Sequence, residues 1–261
     1  MNKKDSMKTA SKHPSNENED KFYGFHASMM IFKERKKDIK KVYVLDELTS
    51  KVSKLLSYCA KNKIAYKVVD QKALESVSGS VHHEGLCLFA KKKPVQSQAS
   101  FISKLKSSSG NTMVLLDNVK NPHNVGAMVR CMAHFGASQL IYSSEQEMNL
   151  SGANYRIAEG GYEYIEFIKA DNLDKICHEL KKAGYKILGT SSHTENSLYS
   201  FKFPEKSVIV LGNEVSGMSK KMQSLCDDMI LIPGTGNVES LNVSQSLGLM
   251  LGEKYRQESK G

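Results

Sequence analysis

Apolar positions recur along this chain with two different periods, and the alternation between them predicts an α/β protein. Short apolar or β-branched runs at 42–45, 64–69 and 86–90 have the length and composition of strands. Residues 26–37, 48–62 and 71–77 carry apolar side chains at helical spacing between and before them. A second, larger series follows. Its strand-like runs are 113–116, 139–142, 164–168, 186–189, 208–211 and 229–232, and its helical stretches are 125–135, 172–183, 219–225 and 243–256. In the last stretch Val243, Leu247, Met250, Leu251 and Tyr255 share one face. Such alternation predicts a mostly parallel sheet with helices on both faces. Ligands of such sheets bind beyond the carboxyl ends of the strands.

Composition divides the chain further. Residues 1–20 are polar, with almost nothing to bury, and are expected to form a disordered tail. A small α/β unit is expected over 21–92. A linker over 93–108 follows, marked by the run KKKPVQSQAS, and the larger unit occupies 109–261.

Charge separates the same two units. The first hundred residues hold 20 Lys and Arg against 11 Asp and Glu, an excess of nine; the remainder holds 17 of each. A basic module beside a neutral one suits docking on a polyanion, although a solvated lysine-rich surface has the same composition. The five cysteines are scattered and never spaced as CxxC, so neither a disulfide framework nor a zinc site is expected. His123, His134 and His193 have no partner at metal-ligand spacing, and no metal is expected. The N-terminus has no apolar secretory core, and no run approaches the length of a membrane span. A cytoplasmic protein without membrane contact is the expectation.

The residues with chemical potential cluster in three loops, each directly after a strand. The first is Asn121-Pro122-His123-Asn124-Val125-Gly126, leading to Arg130. Asn124 is expected to cap the helix that follows, and Arg130 to share its face nearly two turns on. The second is Leu211-Gly212-Asn213-Glu214-Val215-Ser216-Gly217, with Glu214 expected at the start of a helix. The third runs from Ile232 through Pro233, Gly234 and Gly236 to Ser240, Leu241, Asn242 and Ser244; either Ser240 or Asn242 suits the cap of the last helix. There is no GxGxxG opening the first βα turn and no GxxxxGK[ST], so neither a dinucleotide fingerprint nor a P-loop accounts for the glycines. Ser240 lies outside any G-x-S-x-G elbow, against a serine hydrolase.

In order and spacing these clusters resemble the three motifs of the SpoU/TrmH branch of the SPOUT methyltransferases. N-x-G-x-x-x-R is matched by Asn124, Gly126 and Arg130, L-G-[NS]-E-x-x-G by Leu211 to Gly217, and I-P-x-x-G-x-V-x-S-L-N-V-S by Ile232 to Ser244. The first unit is similar to the L30e-like substrate-binding domain of that family, through Tyr23-Gly24-Phe25-His26-Ala27 and His82-His83-Glu84-Gly85. Residues 121–136 and 156–161 look most like a subgroup of poorly assigned bacterial tRNA/rRNA methyltransferases, and Arg-Ile-Ala-Glu-Gly-Gly departs from the S-A-G-A-like sequence usual elsewhere.

The resemblance implies a C-terminal trefoil knot, a feature almost absent from other folds. It further implies a homodimer with its active site near the subunit interface, and transfer of a methyl group from S-adenosyl-L-methionine to a ribose 2′-hydroxyl of structured tRNA or rRNA. Thr190, Gly212, Asn213, Ile232 and Leu241 would contact the cofactor. Arg130 would be the essential catalytic arginine, with Asn124, Glu214, Ser240 and Asn242 around it. A non-catalytic RNA-binding or ribosome-assembly factor on the same fold is the alternative, as is methylation of a base nitrogen.

Overall fold

A computed structural model describes residues 18–105, 112–146, 148 and 152–259. Two sheets organise it. The first is four-stranded, in the order β1-β4-β2-β3, from β1 (Glu19–Tyr23), β2 (Ile39–Leu45), β3 (Ala65–Val69) and β4 (Leu86–Lys91). β4 runs antiparallel to β1 and β2, and β3 runs parallel to β2. Helices α1 (Phe25–Arg35), α2 (Ser53–Lys61) and α3 (Gln71–Ser78) connect them.

The second sheet has seven strands, all parallel, in the order β11-β9-β10-β6-β7-β8-β5. They are β5 (Val95–Ser97), β6 (Thr112–Asp117), β7 (Gln139–Ser143), β8 (Glu166–Ala170), β9 (Lys186–Thr190), β10 (Ser207–Gly212) and β11 (Asp228–Ile230). The two central strands are apolar on both sides, as a sheet covered on both faces requires. Val114, Leu116, Ile209 and Leu211 pack with Met128 and Val129 of α5 (Pro122–Phe135) and Leu247, Met250 and Leu251 of α9 (Val243–Glu258). Met113, Leu115, Val208 and Val210 face the other way, onto Phe101 of α4 (Gln98–Lys104), Ile176 and Leu180 of α7 (Leu173–Lys182), and Met222 of α8 (Lys220–Leu225). A single one-residue alternation thus supplies two helix layers.

Several expectations need revision. Most of the expected tail, residues 1–17, lies outside the described residues; its last two residues instead open β1, because Glu19 to Tyr23 pair along the whole of β4. Within the expected linker, Val95 to Ser97 pair with β8 as the edge of the large sheet, and Ser97 caps α4 by accepting from the Ser100 NH. The run was too short and polar to show a period; pairing with a preformed neighbour decides it. The expected helix 48–62 is broken: residues 46–48 form a 3₁₀ turn, and α2 begins at Ser53.

The two sheets share one core. Phe22 of β1 meets Tyr155 of α6 (Gly152–Ile157) with ring centroids 4.3 Å apart, and Phe22, Ile31, Tyr155 and Tyr162 belong to the same buried cluster. Arg35, at the end of α1, donates through Nε to Glu163 at 2.7 Å; both side chains are largely buried. Lys93 sends its ammonium to the carbonyls of Tyr162, Glu163 and Ile165, each at 2.8 Å, closing the 3₁₀ turn Gly161–Tyr164. Glu84, in a left-handed conformation (φ 53°), accepts from the Phe25 NH at the start of α1 and pairs with Arg156 at 3.4 Å. Beside it buried His83 accepts from the Gly85 NH, and burial holds its pKa below the usual histidine value. The histidine-glutamate segment therefore fastens α1 to α6.

Two stability predictions follow from these contacts. Lys93→Met leaves three carbonyls without their charged donor and should cost about 2 kcal/mol in urea denaturation, with the m-value unchanged. Asp227 tests the pH dependence: burial raises its pKa, but the Ile187 NH (2.8 Å) and Lys181 (3.1 Å) outweigh burial and hold it below 3.8. Its contribution is therefore complete above the unfolded-state value and lost as pH falls through the folded one. Asp227→Asn should lower stability at neutral pH, and the gap from wild type should begin to narrow below about pH 4 and close as pH falls through the lower folded-state value.

Candidate active site

The three loops meet at the carboxyl end of the large sheet, as an open parallel sheet leads one to expect. Gly212 ends β10 opposite Asp117, the last residue of β6, and α9 arrives at the same edge. Each loop is shaped locally before it meets the others.

In the first loop Asn121, not Asn124, caps α5: its side chain accepts from the His123 NH at 2.9 Å, and Pro122 takes the first helical position, where a missing NH costs nothing. Asn124 is left free to turn inward and is buried. Gly126 lets α5 press on α6, since a Cβ there would lie 2.9 Å from the Cβ of Ile157 and 3.0 Å from the Asn154 carbonyl.

The second loop closes on itself. Asn213 and Gly217 exchange backbone hydrogen bonds at 3.0 and 2.9 Å, and the Asn213 Oδ1 accepts from the NH groups of Val215 and Ser216. Gly212 admits no side chain, because a Cβ would stand 2.3 Å from the Met218 nitrogen on the returning arm. Glu214 sits on this turn rather than at a helix start; α8 begins at Lys220, capped by Ser219.

The loops are joined through side-chain amides. Glu214 Oε1 accepts from the Asn124 amide at 2.8 Å and from the Asn121 NH at 3.3 Å. Since a carboxylate only accepts, it draws the Asn124 nitrogen toward it, and the Asn124 oxygen is left to accept from Asn242 at 3.0 Å. Asn242 in turn caps α9 through the Ser244 NH at 2.9 Å. Two contacts invisible in the motifs reinforce this frame. Asp117 accepts from the Ser219 NH at 2.6 Å, and Asn213 donates to the carbonyl of Asn118, itself left-handed at φ 64°. Asn and Asp directly after a strand were the only sequence signal for these two.

The other expected residues divide. Thr190 ends β9 beside Ile230 of β11, so Thr190, Gly212 and Ile232 stand on or just past three neighbouring strand ends. Ser240 and Leu241 lie exposed in the loop between β11 and α9, where Ser240 makes no hydrogen bond among the described residues. Val238 is also strongly exposed there, as is Val215 in the Asn213–Gly217 turn. Arg130 does not join the Glu214–Asn124–Asn242 chain. Six residues from Asn124, it is rotated by about 120° around the helix at 3.6 residues per turn, so the expected shared face does not form. Its guanidinium lies 4.0 Å from Glu159, whose other oxygen is 3.9 Å from His26 of α1. Glu159 was not anticipated; it is left-handed (φ 51°) and precedes two glycines, of which Gly160 abuts Met30 and Gly161 abuts the backbone of Arg130.

Nucleophilic catalysis by cysteine is not supported. Cys226, near the end of β9, has its thiol pushed up to about 12 by burial, and Cys177 likewise. No group of three or more His, Cys, Asp and Glu able to hold a metal occurs among the described residues, and none of the described helices is long and apolar enough to cross a membrane.

Comparison with known proteins agrees with this arrangement. Residues 111–252 match the SpoU rRNA Methylase family, and residues 22–96 match the family described as RNA 2′-O ribose methyltransferase substrate binding. An uncharacterized tRNA/rRNA methyltransferase, YfiF of Escherichia coli O157:H7, is 34% identical over 92% of this chain and 68% of its own length. The 23S rRNA (guanosine-2′-O-)-methyltransferase RlmB of Neisseria meningitidis is 30% identical over 92% of this chain and 96% of its own. This chain thus spans about two thirds of the first relative and nearly all of the second. Among solved structures, the SpoU methyltransferase AviRb from Streptomyces viridochromogenes, in complex with AdoMet, superposes with a TM-score of 0.76 over 94% of this chain and 92% of its own, at 19% identity. With the motif loops assembled at one sheet edge and the family match covering them all, this chain belongs to the SpoU rRNA methylase family.

Proposed function

We propose that this protein is an S-adenosyl-L-methionine-dependent methyltransferase acting on a ribose 2′-hydroxyl of tRNA or rRNA. The observation that carries the reading is the Glu214–Asn124–Asn242 hydrogen-bond chain, which draws all three family motifs to one end of the parallel sheet. The names of the RlmB relatives and the AdoMet complex of AviRb support the same chemistry.

The residues present suit the cofactor. Thr190, Gly212 and Ile232 line up at adjacent strand ends, and Leu241 and Val238 stay exposed in the flanking loop, apolar surface suited to an adenine ring. Asn213 holds the Gly212 turn closed, so backbone groups are fixed before anything binds. When bound, the cofactor supplies an electrophilic methyl group.

The protein must then orient the hydroxyl and accommodate its proton. A guanidinium carries donors and no acceptor, so the part of Arg130 is to position an RNA phosphate and stabilise negative charge developing on the ribose oxygen. Asn124 and Asn242 set the polar wall, Ser240 contributes an exposed hydroxyl, and Glu214 orients Asn124. Arg130 takes no part in the Glu214–Asn124–Asn242 chain within one protomer, which supports a homodimer whose site is completed across the interface. Exposed Val215, Leu249 and Tyr255 supply apolar area for such a contact. We extend the reading to a trefoil-knotted catalytic domain, an L30e-like first domain and a cytoplasmic location.

Transfer of tritiated methyl groups to ribosomal and transfer RNA from cells lacking the gene tests the activity, with recovery of a 2′-O-methyl nucleoside as the expected product. Arg130→Ala should reduce turnover at least a hundredfold and leave cofactor affinity within a few fold; equal loss of both would remove Arg130 from the chemistry. Glu214→Ala, which frees the Asn124 amide, should weaken cofactor binding about tenfold in calorimetry without altering RNA affinity.

A further inference from the structure

Beyond the turn that closes α1 lies a cavity of about 430 Å³ lined by Lys37, Ile39, Lys40, Tyr58, Asn62, Lys63 and Ile64. Three of the seven lining residues are lysines and none is acidic. Lys37, Lys40 and Lys63 are exposed, and none pairs with a carboxylate among the described residues. Lys36 adds a fourth cation, its ammonium 5.5 Å from the centre of the Tyr58 ring. The nearest carboxylate in sequence, Asp38, is engaged by Arg35 at 3.7 Å. Lys63 is held left-handed at φ 57°, a conformation that favours glycine, so a charge stands here at a backbone cost. Four unneutralised ammonium groups around an aromatic ring repel one another until an anion arrives. Ammonium groups without carboxylate partners match the phosphates of a nucleic-acid backbone.

Position ties the cavity to the reaction centre. His26, at the start of α1, shares Glu159 with Arg130, while Lys36 and Lys37 directly follow the helix's last residue. At 1.5 Å per residue the two ends are about 16 Å apart, a span covered by a few nucleotides. We infer that this lysine cleft is a phosphate-docking subsite that grips the substrate RNA a few nucleotides from the ribose presented to Arg130. The inference rests on the RNA-methyltransferase reading and names the surface that recognises the strand.

The test is RNA affinity as a function of salt, using purified ribosomal RNA and bulk transfer RNA. Wild type is compared with Lys37→Gln/Lys40→Gln/Lys63→Gln and with Lys51→Gln/Lys67→Gln/Lys72→Gln, which removes equal charge from the same module outside the cleft. Tritiated methyl transfer is measured in parallel. The cleft variant should lower the slope of log affinity against log salt by about 2, at about 0.7 per contact released from a single strand. The control should change it by less than half as much. Equal loss in both variants, or loss in neither, overturns the cleft. Wild type that binds through the cleft yet transfers no methyl group overturns the methyltransferase reading and leaves the cleft standing. No RNA binding by wild type overturns both.

Discussion

The Glu214 carboxylate accepts two hydrogen bonds from the start of α5, and the orientation it imposes on Asn124 passes to Asn242 at the start of α9. Bonds to a charged acceptor are about twice as strong as neutral ones, and here they cross between segments ninety and more residues apart. Helices α5 and α9 cover the same face of the sheet, packed together through Met128, Val129, Leu247 and Met250. The amide chain lies directly above that packing. Withdrawing Glu214 would leave each loop its own cap or turn, with only the neutral Asn242–Asn124 bond and the Asn213–Asn118 and Ser219–Asp117 contacts between segments.

The second organising contact lies at the opposite flank of α5. The turn carrying Glu159, Gly160 and Gly161 wedges between α1 and α5: at left-handed Gly160 a Cβ would lie 2.6 Å from the Met30 Cβ, and at Gly161 one would lie 3.3 Å from the Arg130 backbone. One carboxylate therefore lies near both His26 of the first module and Arg130 of the second. Since both partners are exposed, the pairs add little stability; their significance is positional. With Phe22 against Tyr155 and Lys93 on the carbonyls of the same turn, the substrate-binding module is built onto the catalytic one rather than tethered to it.

Much of this was legible in the residue pattern, and for a clear reason. The strands β6 and β10 are unbroken apolar runs, and helix α7 places Ile176, Cys177 and Leu180 on one face; such periods follow from burial, which the local chain encodes. The motif residues of the second and third loops were legible too, because Gly212 and the cap Asn242 meet demands of the backbone itself. Single contacts such as Glu159 with His26 left no comparable trace, since an acidic residue before two glycines is compatible with any exposed turn.

What the sequence by itself determined is thus the α/β alternation and the three loops with their polar residues, properties of short segments, together with the basic first module, a sum over composition. The tertiary structure alone decided which loop residues touch. It turned Asn124 from an expected cap into the centre of a hydrogen-bond chain, placed Arg130 on another face of α5, and recruited 95–97 into the large sheet. Those outcomes depend on helix phase and on partners distant in sequence. A carboxylate at position 214 chooses among donors only after the sheet has set β6 beside β10, and no local pattern carries that information.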